Sequence, residues 1–191
     1  MTAQELVASA TEPKAWRCTV KDFLLLGCSG AFAQSARAEL LDGEIWVLNA
    51  VHSRHAAVQA ELQGRIWKAL SQGGSDLRSY VAPSVEMDGQ SLPEPDLVIA
   101  GQHDIGFLPV SKVCIAIEVS DTTLAIDLGR KAGVYASAKI PEYWVVDTNA
   151  QLIRQMWEPV DEAYTNRCDI AFGGQVTAAT ISGLVIETDR L

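Results

Sequence analysis

The run Val113 to Val119, VCIAIEV, restricts the fold of this chain more than any other segment. It has strand length, and an almost unbroken apolar run, unlike an alternating one, belongs to a strand covered on both faces. A sheet with helices packed on its two sides follows. The same run carries Glu118, and a carboxylate there is costly unless it is paired, protonated or holding a cation. A second acid, Asp96, heads the apolar run Leu97 to Ala100 after the stiff approach Leu92-Pro93-Glu94-Pro95. Two carboxylates on neighbouring strands suit a hard divalent cation such as magnesium, which takes one or two protein carboxylates and completes its shell with water or phosphate oxygens.

The positive group expected beside them is Lys131, on a helix predicted from about Ile126 to Lys139 and stopped by Pro141. Asp127, four residues earlier, offers the plainer reading of a solvent-facing helical ion pair. A second helix is predicted from Ser53 to Gln72, with Ser53 as N-cap, Val58, Leu62, Ile66 and Leu70 at helical spacing, and Gly73-Gly74 ending it. His55, Gln59 and Gln63 share its apolar side. Either they hydrogen-bond backbone or water at the edge of the core, or they face a site. Arg54, Arg65 and Lys68 share the opposite stripe with Glu61.

The remaining strands are expected at Glu44 to Leu48 after an Asp42-Gly43 turn, at Leu77 to Ala82, and at Tyr143 to Val146 paired with Leu152 to Trp157. The opening stretch reads as helical or irregular, and the stretch from Tyr164 to Ile186 as weaker strands. Trp46, Trp67, Trp144 and Trp157 read as core anchors rather than base-stacking platforms. With no repeat and no linker-like stretch, a single domain over residues 1–191 is expected.

Fifteen lysines and arginines against 24 aspartates and glutamates give a net charge of −9, which argues against bulk charge attraction to nucleic acid. Contact with phosphate then needs local basic groups, for which Arg54, Arg65, Lys68, Arg130 and Lys139 are candidates. No apolar stretch approaches the roughly 20 residues that cross a bilayer, and MTAQELVASATEPK lacks the layout of a secretory signal. Four cysteines without a CxxC pair read as reduced thiols of a cytoplasmic protein.

Taken together, AELLDGEIW at 38–46, SRHAAV on the first long helix, EPDLVIA at 94–100 and IAIEVSDTTLAIDLGRKAGVYASAKIPEYWVVD at 115–147 resemble the Uma-two family of restriction endonucleases, a branch of the PD-(D/E)XK nuclease superfamily. The resemblance covers residues 38–157. It implies an α/β fold, restriction-endonuclease-like, with a mixed central β-sheet flanked by helices. It implies a magnesium-dependent endonuclease acting on DNA, with manganese as an alternative ion and a homodimer as the working form. Asp96 and Glu118 are its implied metal pair, Glu44 a further ligand or water-orienting acid, and the Val119 carbonyl a fourth ligand. The superfamily's usual lysine, two residues after the strand glutamate, is Ser120 here, so the resemblance assigns that role to Lys131. His55, Gln59 and Tyr135 are candidates for contacting substrate or bracing an acid. The rival expectation is a catalytically inactive nucleic-acid-binding or protein-interaction module on the same fold.

Overall fold

The computed structural model describes residues 15–48, 50, 52–189 and 191, so the expectations for residues 1–14 lie outside it. The chain runs through α1 (Val20–Cys28), the hairpin β1 (Arg37–Leu41) and β2 (Glu44–Leu48), and α2 (Ser53–Gln72). It continues with β3 (Arg78–Val81), β4 (Val85–Glu86), β5 (Leu97–Ala100), β6 (Leu108–Pro109) and β7 (Val113–Ser120). A helical stretch follows in three parts: α3 (Leu124–Ile126), a π-helical turn (Asp127–Lys131) and α4 (Ala132–Ser137). Then come β8 (Glu142–Asp147), β9 (Leu152–Val160), β10 (Ala163–Ala171), β11 (Gln175–Thr177) and β12 (Val185–Glu187).

Six strands form a mixed sheet in the order β10-β9-β8-β7-β5-β3. Within this sheet only β7 and β8 are parallel, and the helical stretch between them is the crossover that a parallel pair requires. The apolar run at 113–119 is the central strand it was expected to be. Ile115, Ile117 and Val119 face one way, with Val58, Leu62 and Ile66 of α2 in the same core cluster. Val113 and Ala116 belong to a second cluster with Val134 and Tyr135 of α4. From Ile115 onward alternation sends successive side chains to the two faces, while the register shift that skips Cys114 between the Ile99–Ile115 and Ala100–Val113 pairs puts Val113 with the second cluster, so both faces are covered by apolar packing.

α2 spans the predicted residues, but its N-cap is His52 rather than Ser53. Trp67, expected in the core, is 65% exposed because it falls on the face of α2 opposite Val58, Leu62 and Ile66. The helix predicted from Ile126 starts two residues earlier and ends at Ser137, with the unforeseen π turn in its middle. Beyond Tyr164 the strand signal was weak, yet β10 is nine residues long, an outer strand whose burial pattern is mostly exposed or intermediate. No helix among the described residues is long and apolar enough to cross a membrane.

Glu142, at the start of β8, is fully buried and accepts hydrogen bonds from Trp144 Nε1 at 2.6 Å, Gln155 Nε2 at 2.7 Å and the Thr180 N–H at 2.8 Å. It ties the loop before β12 to the sheet. Glu142→Ala would strand several buried donors at once, and since each costs about 1–3 kcal/mol, we expect urea unfolding to read a loss of about 3 kcal/mol.

Candidate active site

β5 runs antiparallel to β7 with Leu97 opposite Ile117, so Asp96, one residue earlier, arrives level with Glu118. Both carboxylates are buried and line one cavity of about 540 Å³, together with Arg37, His55, Asp127 and Lys131. Glu118 Oε1 accepts from Lys131 Nζ at 2.9 Å and from the Tyr135 hydroxyl at 2.6 Å. Lys131 and Tyr135 are four residues apart and approach the same oxygen from one side of the crossover. Lys131 Nζ also lies 2.9 Å from Glu39 Oε2 and donates to Glu39 Oε1 at 3.2 Å.

Asp96 is fixed separately. Its Oδ2 accepts from the Val119 N–H at 2.8 Å, and its Oδ1 lies 3.3 Å from His55 Nε2 and 3.4 Å from Arg37. Gln59 Nε2 donates to the Asp96 carbonyl at 2.8 Å, and Gln63 Nε2 to Ser79 Oγ at 3.0 Å. Thus His55 faces the site, whereas the two glutamines brace strands at its edge.

Glu44 does not join this group. It is the partner of Leu41 at the turn end of the β1–β2 hairpin, where Arg130 at 3.3 Å and Arg17 at 3.4 Å engage it, with its side chain 49% exposed. The hairpin acid that reaches the site is Glu39, two residues before Leu41 on β1 and completely buried. Alternation puts Arg37, Glu39 and Leu41 on one face of β1, and Arg37 bridges Glu39 at 2.7 Å to Asp96. The signal for both was present in Arg37-Ala38-Glu39-Leu40-Leu41, two charges at strand spacing leading into an apolar pair. Val119 lies outside the cavity lining and meets the site through its N–H. The ion pair between Asp127 and Lys131 is absent: both are buried, and Asp127 Oδ2 accepts from Ser120 Oγ and Thr123 Oγ1.

Burial drives the Glu118 carboxyl well above its ordinary value, and the negative neighbours Asp96, Asp127 and Glu39 add to this while Lys131 opposes it. Burial would also raise Asp96, but hydrogen bonding and charge from His55, the Val119 N–H and Arg37 outweigh it and hold this acid below its usual range. For Lys131 burial pulls downward, yet Glu118, Glu39 and Asp127 prevail and keep the ammonium charged far above neutrality. Adjacent carboxylates pushed in opposite directions are a mark of sites that handle protons and cations.

A divalent metal fits this donor set in charge and chemistry. Four carboxylates, Glu39, Asp96, Glu118 and Asp127, face two permanent cations, Arg37 and Lys131, leaving negative charge in excess. Among the described residues no three His, Cys, Asp or Glu side chains form a ready cage, so the fit is to an ion held by two carboxylates and otherwise by water or substrate, as magnesium is.

The basic groups proposed for phosphate contact are largely committed elsewhere. Arg65 pairs with Glu61 and Asp189, Arg130 with Asp42 and Glu44, and Arg54 donates to the Thr148 carbonyl. Arg37 is the partly exposed cation that remains at the cavity wall.

The family model "Uma2: Putative restriction endonuclease" matches residues 20–186. Among solved structures, the fold is similar to that of a protein from Anabaena variabilis described as a putative nuclease belonging to DUF820, with a TM-score of 0.65 and 16% identity over 87% of this chain and 90% of that one. No curated protein matches the sequence.

Proposed function

This chain belongs to the Uma2 putative restriction endonuclease family, and on that footing we propose that it is a magnesium-dependent endonuclease hydrolysing phosphodiester bonds of DNA in the cavity between Arg37 and Lys131. The observation that carries this reading is the convergence of Asp96, Glu118 and Lys131 from three separate elements on that one cavity.

Asp96 and Glu118 are the residues that would hold magnesium. Such an ion lowers the pKa of bound water and polarises the phosphate. The protein's own contribution is order. Tyr135 and Lys131 fix the Oε1 of Glu118, so the carboxylate's orientation is set before substrate arrives. The Val119 N–H and His55 do the same for Asp96. Arg37, with its side chain 27% exposed, is placed to hold a phosphate oxygen by a charge-assisted hydrogen bond. Lys131 supplies fixed positive charge beside the reacting centre from a group that keeps its proton.

Cleavage of supercoiled, linear and single-stranded DNA, each with magnesium, manganese or chelator, tests the reading. Asp96→Asn should lower the rate by roughly 10²–10³-fold, the scale for losing one preorganised charge contact. A folded wild-type protein that cuts none of these substrates with either ion, while still binding them, would favour the inactive binding module instead.

A further inference from the structure

His52 and Asp121 also line the cavity and have no part in the chemistry above. His52 stands at the start of α2 and Asp121 just after β7, so they approach from two different walls. His52 Nδ1 and Asp121 Oδ2 are 2.9 Å apart. The Asp121 backbone is held in turn, since Asn149 Nδ2 donates to its carbonyl at 2.6 Å. A carboxylate on Nδ1 selects the tautomer and ring orientation that leave Nε2 as the working nitrogen. No described residue engages Nε2, and the side chain is 67% exposed.

Phosphodiester hydrolysis expels an alkoxide, which needs a proton as the bond to phosphorus breaks. The other titratable groups at the cavity are engaged. Lys131 is locked between Glu118 and Glu39, Asp127 accepts two hydroxyls, and His55 Nε2 is turned to Asp96. Arg37 never gives up its proton. Resting on the endonuclease reading, we propose that His52, oriented by Asp121, is the general acid that protonates the leaving alcohol oxygen. The water oxygen bonds to phosphorus as the bond from phosphorus to the leaving oxygen breaks. The Nε2 proton of the imidazolium passes to that oxygen, one proton of the attacking water goes to solvent, and the neutral imidazole then regains a proton from solvent. His52 is thus a catalytic residue and Asp121 a positioning residue.

The test compares wild type, His52→Ala and Asp121→Asn on DNA and on bis(4-nitrophenyl) phosphate, whose leaving group departs without protonation. His52→Ala should slow DNA cleavage by about 10²-fold, the low end for losing a general acid, and leave the activated diester unchanged. It should also abolish the fall in wild-type rate on the alkaline side of the pH profile. Asp121→Asn should slow DNA cleavage less than His52→Ala does and leave the activated diester unchanged, which a loss of scaffold alone would not do. Equal losses on both substrates, or undiminished DNA cleavage by His52→Ala, would overturn the proton-donor role while leaving the endonuclease reading intact. Absence of all cleavage by wild type would instead defeat the endonuclease reading, and this role with it.

Discussion

Lys131→Met is expected to lower the unfolding free energy by about 3–5 kcal/mol at pH 8, the usual cost of removing one member of a buried ion pair, and to abolish cleavage. The side chain is 3% exposed and its ammonium touches two buried carboxylates, Glu118 and Glu39. Methionine fills most of the volume, so the loss reads charge rather than cavity. Without the ammonium the two acids meet Asp96 and Asp127 with only Arg37 to balance them, and the simplest relief is to bind a proton. The folded variant then holds more protons than its unfolded chain, and its stability falls more steeply as pH rises. Denaturant unfolding at pH 5 and pH 8 should therefore give a smaller deficit at the lower value. A variant as stable as wild type at pH 8 would mean that Lys131 does not balance the cluster.

Much of this arrangement is legible in the residue order because it is local. The run at 113–119 declares a central strand by its composition, and α2 declares itself by the spacing of Val58, Leu62, Ile66 and Leu70. Asp96 and Glu118 are readable for the same reason: an acid at the end of an apolar strand has few inexpensive explanations. What escaped depends on where elements dock. Glu39 and Glu44 are both hairpin acids on one face, since Glu44 pairs directly with Leu41. Two strand residues, roughly 7 Å at the usual rise, decide that one meets Lys131 and the other meets Arg130 near solvent. Within the hairpin only the apolar pair Leu40-Leu41 that follows Glu39 sets the two apart. The π turn is similarly invisible to a periodicity argument that assumes 3.6 residues per turn, although π turns gather at functional sites. His52 contacts a residue 69 positions away, a separation that no motif records.

Glu118→Gln is expected to remove activity and add stability together. Burial and three neighbouring acids hold the Glu118 carboxyl well above its ordinary value. A carboxyl whose folded pKa exceeds its unfolded pKa binds extra protons in the native state, so stability is greatest below the unfolded value, about 4.3 for glutamate, and declines as pH rises above it. Glutamine is nearly isosteric, keeps an oxygen able to accept from Lys131 and Tyr135, and deletes the surplus charge. In chelator at pH 8 the variant should be about 1 kcal/mol more stable than wild type, in the range seen when a functional strain is relieved, and the two should converge near pH 4. DNA cleavage should meanwhile fall by roughly 10²–10³-fold or more. Magnesium should raise the melting temperature of wild type, because a ligand of the folded state alone stabilises it, and leave the variant almost unmoved. A glutamine variant less stable than wild type at pH 8, or one stabilised equally by magnesium, would show that the surplus charge is not reserved for a cation.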